Sequence, residues 1–356
     1  MKKSFRYIVL SLVLLLGVCA PKAFAGNEDR SGQAGASELL INPWAASAGW
    51  GNAGMSFVKG VDAMFGNVAG ISAIRSLDVN FTHTDWLKGS EIKMSSFGLA
   101  VRVGESSVLG LSFFSLNPGT IMETTTDNPD GGIGTFKPSL LHIDVAFAKT
   151  FSNSISGGFN LKIISESIAN MGATGVALDA GIQYVTGPFD NIHFGIALKN
   201  IGPTLTFSGD GLAFKSYFYP NSSLQWTVHQ RADQFELPTQ LSIAAAYDWH
   251  LAETSRLTLA GNFISNSFTK DQYVVGVEYS WKEWFLIRTG YVFESGLFKG
   301  VLDDDCRNLN RGLNAGCSVQ VPISKGEDAP VLAIDYAFRQ TYSYNGTHSF
   351  GARLIF

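Results

Sequence analysis

From residue 77 to its last residue the chain alternates. In LLHIDVAFAKTF, Leu141, Ile143, Val145, Phe147 and Phe151 share one side of an extended backbone, and His142, Asp144, Ala146 and Ala148 share the other. TQLSIAAAYDW sets Leu241, Ile243, Ala245, Tyr247 and Trp249 against Ser242, Ala244, Ala246 and Asp248. QYVVGVEYSW sets Tyr273, Val275, Val277, Tyr279 and Trp281 against Gly276, Glu278 and Ser280. Successive side chains of a strand point to opposite faces, so a period of two predicts strands. They fall near 77–85, 92–103, 107–117, 140–151, 155–166, 174–186, 190–200, 236–249, 255–266, 271–282, 284–294, 316–324, 330–340 and 346–356. One face suits hydrocarbon and the other is small or charged. That pattern predicts an all-β chain: a transmembrane antiparallel β-barrel of about 14 strands, preceded by an N-terminal plug segment.

The connections test the count. With the first strand running outward, GESS, FSNS, TGPFDN, HLAETS, KE and KGEDAP become periplasmic turns, all short and turn-like. The long insertions 118–139, 201–235 and 295–315 then all lie outside. Phe151, Trp249, Trp281 and Phe356 become an aromatic girdle near the periplasmic rim. The chain closes on SFGARLIF, whose Phe350, Ala352, Leu354 and Phe356 form the outward face of a last strand. That strand must bond the first, because an open edge is not tolerated in lipid. Phe350, Leu354 and Phe356 resemble the terminal signal read by the barrel insertion machinery, which is expected as a partner alongside outer-membrane lipid. A soluble sandwich is the competing reading, disfavoured by the loop partition and by the N-terminus.

That terminus has Lys2 and Lys3, an apolar run from Tyr7 to Val18, and the small-x-small site Ala23-Phe24-Ala25. It reads as a signal peptide over 1–25, with the mature chain beginning at Gly26 and residing in the outer membrane. Cys19 lacks the small preceding residue of a lipoprotein site; Val18 stands there instead. Only 16% of the 356 residues are charged, below the ~25% of ordinary soluble domains. No apolar run after Gly26 is long enough for a spanning helix. Net charge is −4 with no basic block, which argues against nucleic acid as a partner. Cys306 and Cys317 bracket the polar stretch CRNLNRGLNAGC, and a disulfide across that loop is the expectation for an exported protein.

Residues 26–76 do not alternate. They are rich in Gly, Ala and Ser, with isolated large residues such as Trp44, Trp50, Met55 and Phe57. The expectation is a segment packed into the periplasmic mouth of a barrel over 77–356. Asn42, Pro43, Trp44, Trp50, Gly51, Asn67, Ala69 and Gly70 are its plug or gate candidates. Composition does not separate a passive plug from a ligand gate.

The stretch GASELLINPWAASAGWGNAGMSFVKGVDAMFGNVAGIS resembles the N-terminal signature of the PorV/PorQ family of Bacteroidota outer-membrane proteins, related in fold to the FadL fatty-acid transporters. The likeness continues through RVGESSVLGLSFFS, GGIGTF, FGIALKNIGP and FSGDGLAF. It implies a role in type IX secretion, binding secretion components or the C-terminal domains of cargo. The Asn-Pro-Ala element of the wider superfamily appears as Asn67-Val68-Ala69-Gly70, without the Pro. A FadL-like transporter of hydrophobic small molecules, fatty acids among them, is the alternative.

Chemistry-bearing motifs are few. HExxH, GxSxG and a Walker loop are missing, so neither an enzyme nor a cofactor is expected. GGIGTF reads as turn chemistry, and Asp303, Asp304 and Asp305 as a solvated acidic turn. His142 and Asp144 share the inward face, but same-face strand positions are ~7 Å apart, which predicts partners across strands rather than a direct bond. Arg102, Lys162, Glu166, Asp179, Lys199, Glu278, Arg288, Asp335, Arg339 and Arg353 should also face inward, their mixed signs forming ion pairs. The outside insertion 201–235 carries Phe214, Tyr217, Phe218, Tyr219 and Trp226, a binding surface or a lid over the barrel mouth.

Overall fold

The structure is a computed structural model that describes residues 26–217, 224–294, 308–326, 329–341 and 344–356. Among these, fourteen antiparallel strands close into a barrel. They are β1 (Leu77–Trp86), β2 (Ile92–Arg102), β3 (Ser107–Asn117), β4 (Ser139–Ser152), β5 (Ile155–Ile168), β6 (Met171–Thr186) and β7 (Ile192–Ile201). The second half is β8 (Gln240–Ala252), β9 (Ser255–Asn266), β10 (Gln272–Trp281), β11 (Phe285–Glu294), β12 (Asn310–Pro322), β13 (Val331–Thr341) and β14 (Thr347–Ile355). Each pairs with its neighbours in order, and β1 pairs with β14, setting Val79 opposite Leu354 and Phe81 opposite Ala352. Phe356 N–H donates to Leu77 O at 2.8 Å, and Phe356 O accepts from Ser76 N–H at 3.0 Å. Hydrogen bonding between the closing and first strands thus runs through Phe356.

The alternation sorts side chains between two solvents. Phe81, Phe97, Leu111, Phe113, Phe159, Ile182, Ile243 and Ile334 all point outward and are exposed. Leu241 is exposed with them, and Val277 and Leu354 share their parity. So continuous an apolar belt far exceeds the patches a soluble monomer tolerates, and its solvent is hydrocarbon. Lys162, Asp179, Glu278, Arg288, Asp335 and Arg339 are buried on the opposite face. Short turns gather at one end of the barrel, the periplasmic end by the usual rule. Phe151, Trp249, Trp281 and Phe356 are exposed there. The opposite end carries the connections 118–138 and 202–239, which form small two-stranded ribbons such as Ala213–Tyr217 with Gln225–His229.

Strand β12 starts earlier than the sequence suggested. Cys317 is therefore not in a loop but well inside a strand, opposite Ile287 of β11 and Tyr336 of β13. It is outward-facing and unpaired among the described residues; its expected disulfide partner, Cys306, lies outside them. Alternation is hard to see here because one set of positions mixes the charged Arg311 with Leu313 and the small Ala315, and the other is Gly and Asn.

The plug is a chain of short turns. Single 3₁₀ turns cover Ser37–Leu40, Ala53–Ser56, Gly60–Met64 and Val68–Ala73, and α1 (Ala45–Ala48) is one helical turn. The segment is not confined to the periplasmic mouth, as expected from its composition, but threads the lumen from end to end. A Cβ added to Gly26 would stand 2.7 Å from the backbone of Thr269 and Asp271, in the outer β9–β10 connection. Arg30 lies over the Phe268 ring at 4.3 Å, and Gly35 N–H donates to Glu236 O in the long outer loop. The other end meets the periplasmic rim, where Arg102 Nε donates to Arg75 O at 2.6 Å. Composition revealed a close-packed segment; its path depends on wall partners distant in sequence, 297 residues away in the case of Asn42 and Arg339.

Candidate functional site: plug, partition and lumen

Every plug candidate lies inside the barrel. Asn42 is a hub: its Oδ1 accepts from Trp44 N–H at 2.9 Å, its Nδ2 donates to Ser47 Oγ and Asn52 Oδ1, and its carbonyl accepts from Arg339 of β13 at 2.9 Å. Pro43 follows, buried, and Trp44 is sunk against Gly98 of β2. Trp50 and Gly51 lie against β11; a side chain at Gly290 would stand 2.2 Å from Trp50 O. Asn67 caps the turn Val68–Ala73, its Oδ1 accepting from Ala69 N–H, and its Nδ2 reaches into the wall to donate to Ile182 O at 2.9 Å. Gly181 gives it passage, since a Cβ there would lie 2.2 Å from Asn67 Oδ1. Gly70 packs on Val58 O. These residues seat the plug on the wall; the structure does not gather them around one cavity.

Asp62 anchors the centre. Its carboxylate accepts from Ser47 N–H at 3.0 Å and from Asn80 Nδ2 at 2.6 Å. Burial pushes this carboxyl above the usual range, and the Arg353 guanidinium works against that. Arg353 is held by Asp335, with Nε to Oδ2 at 2.6 Å. A second network follows the periplasmic half of the wall: Arg288 to Glu278 at 2.5 Å, Arg256 to Glu278 at 3.1 Å, and His193 to Asp248 at 3.1 Å. Opposite charges are therefore paired in these two networks, and among the described residues they are interspersed and not sorted into a ring of one sign.

Two cavities in the lumen share plug residues. A chamber of about 340 Å³ lies on the periplasmic side, with Trp50, Met55, Phe57 and Val58 of the plug facing His193, Arg256 and Glu278 of the wall. A smaller one of about 50 Å³ lies toward the outer end, between the plug and Lys199, Gln240, Val274 and Arg339. Asn52 and Met55 line both cavities. Asn52 caps the turn Ala53–Ser56 and Met55 lies within it, so this turn separates the two. Asn52 sits in the left-handed region at φ 69°, held by Asn42 Nδ2 and by Asn262 Nδ2, which donates to its carbonyl at 3.1 Å. Met55 packs on Ala197 and Ala244, two small wall residues. Neither Asn52 nor Met55 was a sequence candidate. The signal that could have found Met55 is a flexible side chain surrounded by Gly and Ala in a segment with few large residues.

Some inward residues corrected the reading from sequence. His142 Nδ1 and Asp144 Oδ1 are 3.0 Å apart, although the predicted spacing argued against a direct bond. Backbone rise fixes where the two Cα atoms sit, but the side chains lean together. His142 is also stacked on Phe114, with ring centroids 4.5 Å apart, and Asp144 accepts from Ser112 Oγ across the strands. At the outer end of β7 a bulge turns both Lys199 and Asn200 inward. Asn200 N–H donates to Asp179 Oδ1 at 2.7 Å and Lys199 lies over the Phe65 ring at 4.2 Å. Of the outer-loop candidates, Phe214, Tyr217 and Trp226 are exposed on the ribbon; Phe218 and Tyr219 lie outside the described residues. Phe350 and Phe356 are exposed on the outward face of the closing strand, with Leu354 half-buried between them.

No family model matches the chain, and no curated protein matches it in sequence. Solved structures do match. The Pseudomonas putida toluene transporter TodX aligns with a TM-score of 0.53 at 12% identity, over 88% of this chain and 97% of that one. The Ralstonia pickettii toluene transporter TbuX gives 0.52 at 12% identity, over 87% and 96%. A TodX mutant described as a monoaromatic hydrocarbon channel gives 0.53 at 12%, over 87% and 97%. At such identities the likeness is one of fold. The chain is a closed 14-stranded antiparallel β-barrel whose lumen is occupied by its own N-terminal segment, and its fold is similar to that of the toluene-transporter barrels.

Proposed function

We propose that this protein is an outer-membrane conduit for small hydrophobic molecules, gated within its plug. One observation carries the reading: an outer and a periplasmic cavity lie on either side of a single turn, with Asn52 and Met55 common to both. Trp50, Met55, Phe57 and Val58 offer apolar and aromatic surface to a passing molecule, while the charged wall opposite is already paired with itself. Met55 is the movable part. Its thioether chain has three rotatable bonds, and Ala197 and Ala244 leave space beside it once it swings away. The fold shared with the toluene transporters supports a solute of that class. Entry of radiolabelled toluene into cells with a lipopolysaccharide outer membrane tests this. Cells expressing Met55→Ala are expected to take it up severalfold faster than those with the parent protein, and Met55→Trp to bring entry to the level of cells lacking the protein. Equal entry in all of these would overturn the reading.

A second reading concerns a protein partner at the outer face. The ribbon Ala213–Tyr217 with Gln225–His229 sets Phe214 opposite Val228 and Ser216 opposite Trp226, so three large apolar side chains share one exposed face. The resemblance of the N-terminal segment to PorV/PorQ proteins supports a type IX secretion component or a cargo C-terminal domain as that partner. Affinity purification from native outer membranes tests it. Recovery of such components, lost in Phe214→Ser/Trp226→Ser, is the expected outcome; recovery of none removes this reading and leaves the conduit untouched.

A further inference from the structure

The outer arm of the plug carries a buried carboxyl that the conduit does not use. Glu38 is 2% exposed, and neither of its oxygens accepts a hydrogen bond from another described group. It faces Glu166, which is itself buried near the outer end of β5. Their surroundings are apolar: Ala36, Leu39, Ile164, Ala173, Leu205 and Leu237 pack into one cluster around them. Ala36, two residues before Glu38 and in the same cluster, is held in the left-handed region at φ 49°, so the arm turns sharply beside the pair.

Charge on the elements around this pair is already committed. Arg30, earlier on the arm, pairs with Glu236 of the outer loop at 2.5 Å. Lys162, two inward positions below Glu166, pairs with Asp179 of β6 at 2.8 Å. His142 of β4 is bonded to Asp144, and Lys199 of β7 lies over Phe65. Two carboxylates in an apolar cluster with no dedicated cation cannot both be ionised at low cost, whereas one shared proton makes them a hydrogen-bonded pair.

We propose that Glu38 and Glu166 form a proton-operated latch that holds the outer arm of the plug against the barrel wall and releases it as pH rises. Burial, with the Glu166 charge adding to it, pushes the Glu38 carboxyl up from 4.5 to about 8. The docked arm therefore binds more protons than the released arm between those values. Docking is at full strength below about 4.5 and weakens as pH climbs toward 8, by up to about tenfold in the docking equilibrium per pH unit for one proton. Above that window both groups are charged and repel.

Hydrogen–deuterium exchange over residues 33–41 of the full chain in detergent micelles, corrected for the intrinsic pH dependence of exchange, tests the latch. Parent protection is expected to fall at least tenfold between pH 6 and pH 8.5, while that of residues 60–73 stays level. Glu38→Gln keeps a neutral donor opposite Glu166 and is expected to flatten the profile at the protected level. Glu38→Ala, which also removes the repulsion, is expected to flatten it at lower protection. Parent protection independent of pH, or a fall of the same size in Glu38→Gln, would overturn the proposal. Because the readout is the arm and not a solute, the result is separate from that of the toluene experiment.

Discussion

Asp335 is 1% exposed and sits between two guanidinium groups. It pairs directly with Arg353, and it accepts from Ser318 Oγ, to which Arg288 Nη1 donates at 2.6 Å. Removing one member of such a group strands a charge that water cannot easily reach. Asp335→Ala is therefore expected to lower the stability of the folded barrel by about 3–5 kcal/mol. The shift from folded to unfolded mobility on unheated gels across a urea series measures it. Asp335→Asn, which keeps the hydrogen bond from Arg353, is expected to lose less. The exposed pair Arg30–Glu236 makes a control, where about 0–1 kcal/mol is expected on changing either partner to Ala.

Among elements, the plug and the wall are complementary to the level of a missing methyl group. Trp50 lies so close to β11 that a Cβ at Gly290 would overlap its backbone, 2.2 Å from O and 2.6 Å from the carbonyl carbon. Backbone cannot give way as a long side chain can. Gly290→Val is expected to lift the region around Trp50 off the wall and join the outer cavity to the periplasmic chamber. A steady ionic conductance in planar bilayers, absent from the parent, is the outcome to measure, with Gly261→Val, whose added Cβ would meet nothing closer than 3.8 Å, as a control. How much of this was legible in the sequence follows from the same physics. Strands such as β8 and β10 could be read because one face is all hydrocarbon-facing and the other is not. Strand β12 lost its first residues because Arg311 and Ala315 blur the contrast. The bulge at Lys199–Asn200 was invisible because it reverses the parity at one step, through a hydrogen bond from Asn200 to a side chain on β6. The plug candidates Asn42, Trp44 and Asn67 were found as residues, but not their seats, since Arg339, Gly98 and Ile182 are their partners only in the folded chain. Met55 was seen only as one of the isolated large residues and not as part of a partition, and Glu38 went unnoticed because nothing local distinguishes a buried carboxyl.

For the molecule as a whole, two solvents meet the same sheet. Cys317 tests which one it sees. It lies mid-strand on the outward face, between Ile287 and Tyr336. In intact membranes it is expected to react with a lipid-soluble maleimide and to be at least tenfold slower with a membrane-impermeant, charged one. Unfolding in urea should remove the difference. Equal rates with both reagents in the membrane would place the residue in water.

The threaded plug also constrains how the protein is made. The arm reaches Thr269 and Asp271 at the outer end, the wall surrounds it, and the β1–β14 contact completes the ring at Leu77 and Phe356. A tail drawn through a finished hoop would have to force Trp44 and Trp50 past a bore already crowded with paired charges. A hoop that shuts around a tail already in position meets no such obstacle. In the finished molecule the seam between the last strand and the first is the clasp that keeps the enclosed segment in place.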